Sequence, residues 1–193
     1  MTDFYISKTG YWLAEDKNVY HFNKDLCISL IGFVQKRKFK EIYDFGCGDG
    51  EYLKKFELLG LTCIGIEGNP YVKKFHTNSI VRDLGEPFLL NRWDCVVCVD
   101  VAELIPSHYE SIFLDNLTNN AKSSIVLTWK STSRDKNHVN CRDTNYIIEN
   151  LKKRGFKLNA TDTYALKNIN KKEIYVFDRI YNINLEKSKD DSW

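Results

Sequence analysis

Glu41-Ile42-Tyr43-Asp44-Phe45-Gly46-Cys47-Gly48-Asp49-Gly50-Glu51-Tyr52 is the stretch on which the reading of this chain turns. An apolar run enters a turn holding three glycines in five residues, with Asp44 two positions ahead of the first. Glycine adopts positive φ at no steric cost and lets a ligand or another backbone come close. A strand that ends in such a turn and continues as a helix aims bare N–H groups at whatever lies beyond its end. The glycines also suit a merely tight turn, but their density between strand and helix, with an acid in front, favours a nucleotide-type binding loop.

Spacing and charge narrow the ligand. The pattern is G-x-G-x-G, with Glu51 where a dinucleotide-binding G-x-G-x-x-G has its third glycine. A pyrophosphate here meets Asp44 and Asp49, and like charges repel in a partly desolvated cleft. The sulfonium and ammonium of S-adenosylmethionine are cations, which the same acids attract. That cofactor is the expectation, and NAD is not.

Outward from the loop the chain reads as alternating strands and helices. Strand 41–45, helix 50–59 closed by Gly60, and strand 62–67 make a βαβ unit of a parallel sheet. The second strand ends in Glu67, before Gly68-Asn69-Pro70, and an acid roughly twenty residues past a glycine loop accepts hydrogen bonds from ribose hydroxyls. A short helix at 71–76 leads to a strand at 79–82 and to Asp83-Leu84. Trp93-Asp94-Cys95-Val96-Val97-Cys98-Val99 is apolar and largely β-branched, as expected of a strand covered on both faces, and it ends at Asp100-Val101-Ala102-Glu103. Ser107-His108-Tyr109-Glu110 has the capping-box form and opens a helix to about 119. Then come a strand at 124–129, a helix from an Asp143 cap to Gly155, and strands at 156–160 and 173–179 joined by Lys- and Asn-rich sequence.

Residues 1–23 are rich in aromatics, among them Tyr11, Trp12, Tyr20 and Phe22, and Asn23 caps a helix at 24–37. Aromatics ahead of a domain either anchor to it or lid its cleft, and both readings stay open for Tyr11, Trp12 and His21. At 193 residues and 43% hydrophobic the chain suits one sizeable core rather than two, so a single domain over 1–181 with a polar, disordered tail at 182–193 is expected. It has no run of ~18 apolar residues and no basic-then-apolar leader, which implies a soluble, cytoplasmic protein. Its 28 basic and 26 acidic residues leave +2, too little for an electrostatic footprint on duplex DNA. The six cysteines read as small core residues of a reducing compartment. Cys95 and Cys98 imitate a CxxC, but residues three apart on a strand face opposite sides and no second pair completes a zinc site, so no metal is expected.

Asp44-Phe45-Gly46-Cys47-Gly48-Asp49-Gly50, Gly65-Ile66-Glu67-Gly68-Asn69-Pro70, Asp83-Leu84, Asp100-Val101-Ala102-Glu103-Leu104-Ile105-Pro106 and His138-Val139-Asn140 follow one another along the chain. In these motifs and their order, over nearly its whole length, the chain resembles the class I S-adenosylmethionine-dependent methyltransferases. The similarity is greatest to a bacterial and viral group acting on small molecules and sugars. The resemblance implies an α/β, Rossmann-like fold with a seven-stranded, mostly parallel sheet, helices on both faces, and the last strand antiparallel. It implies Asp44, Gly46, Cys47 and Gly48 at the methionine end of the cofactor, Glu67 with Gly68 and Asn69 at the ribose, Asp83 and Leu84 at the adenine, and Asp100 with Val101 near the methyl donor. Asp83 also suits a simple turn cap before Gly85. Two departures stand out: Leu104 replaces the histidine of the family's Glu-His-Ile-Pro, and Ser131-Thr132-Ser133-Arg134-Asp135-Lys136 replaces a glycine-rich segment before His138.

Methyl transfer needs alignment above all, and a hydroxyl acceptor must also lose a proton. His138, after the fifth strand, is the first candidate base, since an ordinary imidazole titrates near neutrality. The competing reading has His138 and Asn140 bonding the loop and capping the next helix. Glu103 and His108 are the reserve catalytic candidates, against plain roles as a first-turn acid and an exposed histidine. The expected activity is transfer to a hydroxyl, in preference to an amine, of a sugar, nucleotide-sugar or other small acceptor. The alternatives are RNA or protein methylation, with Lys167 to Lys172 as a contact or a solvated hairpin tip, and a cofactor-binding regulatory module without catalysis.

Overall fold

The computed structural model describes residues 5–132, 135–170 and 172–181, so the expected disordered tail lies outside the described residues. In chain order the elements are β1 (Tyr5–Ile6), β2 (Trp12–Leu13), α1 (Lys24–Arg37), β3 (Glu41–Phe45), α2 (Glu51–Glu57), β4 (Thr62–Glu67), α3 (Val72–Phe75), β5 (Ser79–Val81) and β6 (Trp93–Cys98). They continue as α4 (Glu110–Asn120), β7 (Ala121–Thr128), α5 (Thr144–Lys153), β8 (Phe156–Leu158), α6 (Ala160–Asn170) and β9 (Ile174–Arg179). β3 to β9 form one seven-stranded sheet in the order β5-β4-β3-β6-β7-β9-β8. β9 runs antiparallel to both β7 and β8, and the other pairs are parallel. No helix among the described residues is long and apolar enough to cross a membrane.

Strand alternation sorts the core onto two faces. Tyr43, Phe45, Val96, Cys98, Ile125 and Leu127 face α4 and α5 through Phe113, Leu117, Ile147 and Leu151. Ile42, Cys95, Val97, Val126 and Val176 face α1, α2 and α6 through Leu30, Val34, Phe56 and Leu166. Cys95 and Cys98 thus lie on opposite sides of the sheet, and only Cys141 of the six cysteines is not buried.

Several boundaries differ from the sequence reading, and each difference has a polar cause. The Lys- and Asn-rich connection before β9 contains a helix, α6. Asn159 Oδ1 accepts from the Asp162 N–H at 2.9 Å, Thr163 Oγ1 accepts from the Val176 N–H at 2.9 Å, and Asp162 pairs with Lys36 and Arg37. Its buried stripe includes Asp162 and Thr163, which hydrophobic periodicity does not register. The capping box at Ser107 does not form. A 3-10 turn spans Ser107–Tyr109, α4 starts at Glu110, and no side chain caps it. Glu110 instead turns inward, accepting from Asn140 Nδ2 at 2.9 Å, from Arg142 Nε at 2.8 Å and from the Tyr146 hydroxyl. Charge-assisted partners outbid one backbone N–H. β7 opens at Ala121 rather than 124 because α4 runs straight into it. The aromatic N-terminus forms the small antiparallel pair β1–β2, turned at Gly10 (φ 102°) and tied by Ser7 Oγ, which accepts from the Gly10 and Tyr11 N–H groups at 3.1 Å.

One ion-pair network spans both ends of the chain. Arg37 donates to Asp178 Oδ1 at 2.7 Å, to Asp162 Oδ2 at 3.0 Å and to Ser124 Oγ at 3.1 Å, joining α1, α6, β7 and β9. Arg37→Met keeps the packing of the stem and removes the charge, leaving the buried Asp162 with only the half-exposed Lys36 and Asn159. The expected cost is about 2–4 kcal/mol, read as a lowered urea midpoint with unchanged slope.

Candidate functional site

The chain turns one way from β3, to β4 and β5, and the other way from β6, to β7 and β9, so a crevice opens between the ends of β3 and β6. A cavity of about 580 Å³ fills it, within the range of small-molecule sites. The loop after β3 forms its floor, with Gly46, Gly48 and Gly50 all at positive φ, between 56° and 77°. Space confines all three further: a Cβ on Gly46 meets the Val101 side chain at 2.2 Å, one on Gly48 meets the Tyr20 ring at 2.7 Å, and one on Gly50 meets the His76 side chain at 2.6 Å.

Carboxylates dominate this side. Asp44 is 2% exposed, and its Oδ2 has no partner. Burial, with the neighbouring Glu67 and Asp49 charges, pushes its carboxyl up to about 7. Glu67 is also buried, and burial raises it too, but its oxygens accept from the Gly48 N–H at 2.9 Å and the Asn69 N–H at 3.0 Å. Asp83 lines the cavity, and its oxygens accept from Thr9 Oγ1 at 2.7 Å and from the Gly85 N–H at 2.8 Å, so the turn cap is formed as well. A buried acid oxygen without a donor, beside a second acid, ionises at a cost that a nearby cation would lower.

Of the residues singled out from sequence, Asp44, Gly46, Cys47, Gly48, Glu67, Gly68, Asp83, Leu84, Asp100, Val101 and His138 line this one cavity. Asn69 does not. Its fully buried amide donates to Ala14 O at 2.7 Å and to the Tyr20 hydroxyl at 2.8 Å, and so anchors the N-terminal segment. That segment forms the opposite wall: Tyr11, Trp12, Tyr20, His21 and Phe22 face the cavity, Trp12 stacks on Tyr20 with centroids 6.0 Å apart, and the Tyr11 ring packs against Gly68. Tyr11 and Trp12 therefore both pack and line the cleft, whereas His21 lines it and is exposed.

The far end is built from β6, β7 and β9. Asp100 takes a left-handed backbone (φ 56°), donates its N–H to Thr128 Oγ1 at 2.6 Å, and accepts from Lys172 Nζ at 2.5 Å. Lys130 Nζ lies 3.3 Å from His138 Nε2 and 3.6 Å from Glu103 Oε1. Burial and the Lys130 charge hold the His138 imidazole below its ordinary range, so it is neutral at pH 7. His108 is exposed against Tyr109 and lies outside the cavity, as does Glu103, which is buried with Oε2 unpartnered. Asn140 bonds Glu110 rather than capping α5, and Trp129 Nε1 donates to its carbonyl at 2.6 Å, fixing the segment that carries His138.

Sequence reasoning missed Lys130, and it named Tyr20 and Lys172 without giving either a place in the cleft. Lys172 lines the cleft and Lys167, on α6, lies over the Tyr175 ring at 4.3 Å, so these two lysines are not a solvated hairpin tip. The signal was positional: Lys130 and Lys172 each stand two residues outside β7 and β9 at one end of the sheet.

Asp44 makes a pH prediction with a definite sign. Between about pH 4 and pH 7 an unfolded aspartate has ionised while the folded Asp44 keeps its proton, so this group's contribution to stability falls as pH rises and then levels off. Asp44→Asn removes the effect. The variant should gain on the order of 2 kcal/mol on wild type between pH 5 and pH 8, measured by urea melts. A difference that does not change with pH refutes the raised carboxyl.

Comparison with known proteins follows the geometry. No family model matches the chain, and no curated protein does. Solved structures do. The magnesium protoporphyrin IX methyltransferase of Synechocystis, solved with bound S-adenosylhomocysteine, aligns over 83% of this chain and 89% of its own at TM-score 0.64 and 16% identity. The sugar N-methyltransferase KedS8 of Streptoalloteichus aligns over 82% and 88% at TM-score 0.64 and 12% identity. A 1,6-didemethyltoxoflavin-N1-methyltransferase of Burkholderia thailandensis aligns over 86% and 82% at TM-score 0.62 and 9% identity. The chain has the Rossmann-like fold of the class I methyltransferases, with the seven-stranded sheet and single antiparallel strand that its motifs led one to expect.

Proposed function

We propose that this protein binds S-adenosylmethionine and methylates a hydroxyl, in preference to an amine, of a sugar or another small metabolite. The observation that carries the reading is Asp44 Oδ2, a buried acid oxygen without a donor at the floor of a glycine-lined cavity. The residues present fit the cofactor. Asp44, Gly46, Cys47 and Gly48 would hold its charged methionine end, Glu67 and Gly68 its ribose, Asp83 and Leu84 its adenine, and Asp100 with Val101 the region of the sulfonium. When bound, S-adenosylmethionine supplies an activated methyl group. The chain supplies everything else: an acid floor that attracts the cation, an aromatic wall that excludes water, and a neutral imidazole at the acceptor end.

The acceptor reading rests on His138, which lines the cavity and is held neutral. A neutral imidazole can take the hydroxyl proton, and Lys130 beside Nε2 must yield that position first. A cavity of about 580 Å³, walled on one side by Tyr11, Trp12, Tyr20, His21 and Phe22, suits a small acceptor. An amine acceptor is the second reading, supported by the two N-methyltransferases among the structural neighbours, and it needs no base before attack. The non-catalytic alternative rests on Leu104, and turnover decides it: a dead module binds cofactor without ever releasing S-adenosylhomocysteine.

Calorimetry should give micromolar affinity for S-adenosylmethionine and none for NAD, and Glu67→Gln should weaken the former by about 1.5–3 kcal/mol through lost charge-assisted bonds. Equal binding of NAD overturns the cofactor assignment. His138→Ala should leave cofactor affinity intact while turnover of a hydroxyl acceptor falls about 10²–10⁴-fold and the acid limb of the pH–rate profile, set below the ordinary imidazole range, disappears. An unchanged rate and profile removes the base and favours the amine.

A further inference from the structure

The cofactor reading leaves two cations of the cleft unexplained. Lys130 and Lys172 are the only lysine or arginine residues among the described lining residues. β7 and β9 pair antiparallel with Thr128 opposite Ile174, and the Trp129 N–H continues the ladder to Glu173 O at 3.2 Å. Carried one step further, that register sets Lys130 opposite Lys172. Like charges directly opposite on paired strands destabilise each other, and here both are kept at the mouth of one cavity.

Their present partners do not exhaust them. Lys172 gives one bond to Asp100, and Lys130 stands between Glu103 and His138 Nε2. An ammonium has three N–H donors, so each lysine retains bonding capacity toward the cavity. Glu173, the nearest acid along the chain, is held by the Ser131 N–H at 2.7 Å and the Ser131 hydroxyl at 2.5 Å. Asp44, Asp49, Glu67 and Asp83 thus lie at the β3–β5 side, whereas the β7–β9 side holds both lysines together with Asp100, Asp135 and Glu173, of which Asp100 takes one Lys172 bond and Glu173 is occupied by Ser131.

We propose that the acceptor carries an oxyanion, a phosphate or carboxylate, which Lys130 and Lys172 bind together. This rests on the methyltransferase reading of the same cleft and narrows its substrate class to acids. The oxyanion competes for the Lys130 ammonium, and drawing Lys130 away from His138 Nε2 uncovers the lone pair needed by a hydroxyl. An acceptor without the anion leaves the imidazole covered, so recognition and base activation are linked through one side chain.

Two titrations separate this inference from the reading beneath it. S-adenosylhomocysteine is titrated first into the full chain, and the loaded protein is then titrated with inorganic phosphate and, separately, with acetate. Saturable anion binding is expected, weaker by about tenfold or more in Lys130→Gln and in Lys172→Gln and absent in the double variant, with unchanged anion binding in Lys136→Gln. Phosphate outcompeting acetate identifies a phosphorylated acceptor, and the reverse identifies a carboxylic acid. Anion binding that is absent from the loaded wild type, or that survives in the double variant, overturns the oxyanion site while leaving cofactor binding standing. No binding of S-adenosylhomocysteine overturns both. A melting temperature of each variant within a few degrees of wild type shows that lost binding is not lost folding.

Discussion

The carboxylate of Glu67 is the clamp on which this cleft depends. One oxygen takes the Gly48 N–H and the other the Asn69 N–H, so the end of β4 fixes both the glycine loop after β3 and the turn that follows β4. Asn69, held in that turn, then grips Ala14 and Tyr20 from the N-terminal segment. Three stretches far apart in sequence are thus referred to one side chain. Its burial disfavours the charged form and raises the carboxyl, and the backbone donors offset part of that cost. Asp44 beside it has no such donor on Oδ2, so one acid organises the surrounding backbone and the other does not.

What the sequence disclosed and what it hid follow from range of interaction. The glycine loop and Glu67 were legible because local chemistry at strand ends dictates them, positive φ and an acid at a fixed distance, whereas Asp83 and Asp100 were singled out only through the family resemblance. All of these line the cavity. The misreadings came where a distant partner overrode a local preference. Glu110 abandoned a capping box for Asn140 and Arg142, thirty or more residues away in sequence. α6 is stabilised by Lys36, Arg37 and Val176, none of which lies within it. Asn69, assigned to a ligand from its neighbours in the motif, proved to be an internal strut.

The walls of the cavity differ in kind. The floor and the lysine side are ends of strands embedded in a two-faced core, whose positions are set by the packing of residues such as Phe45, Val97 and Leu127. The aromatic wall is a two-residue ladder and a loop that touch the core domain through polar contacts and through rings laid on glycines. A Cβ on Gly68 stands 2.4 Å from the Tyr11 ring, so glycine at that position serves the fit of the wall.

That wall also carries a constraint in time. Thr9 bonds Asp83, 74 residues later, and Gly10 packs against the backbone of Leu104. This segment is therefore among the last parts of the chain to find its place, because contacts of such sequence separation form only after the intervening loop has closed. Until the β4–β6 region exists, Tyr11, Trp12, Tyr20 and Phe22 have nothing to cover, and the nascent chain carries an unshielded aromatic segment. The sheet can condense without them; the cleft is finished only when the segment ahead of α1 settles against Asp83 and Leu104.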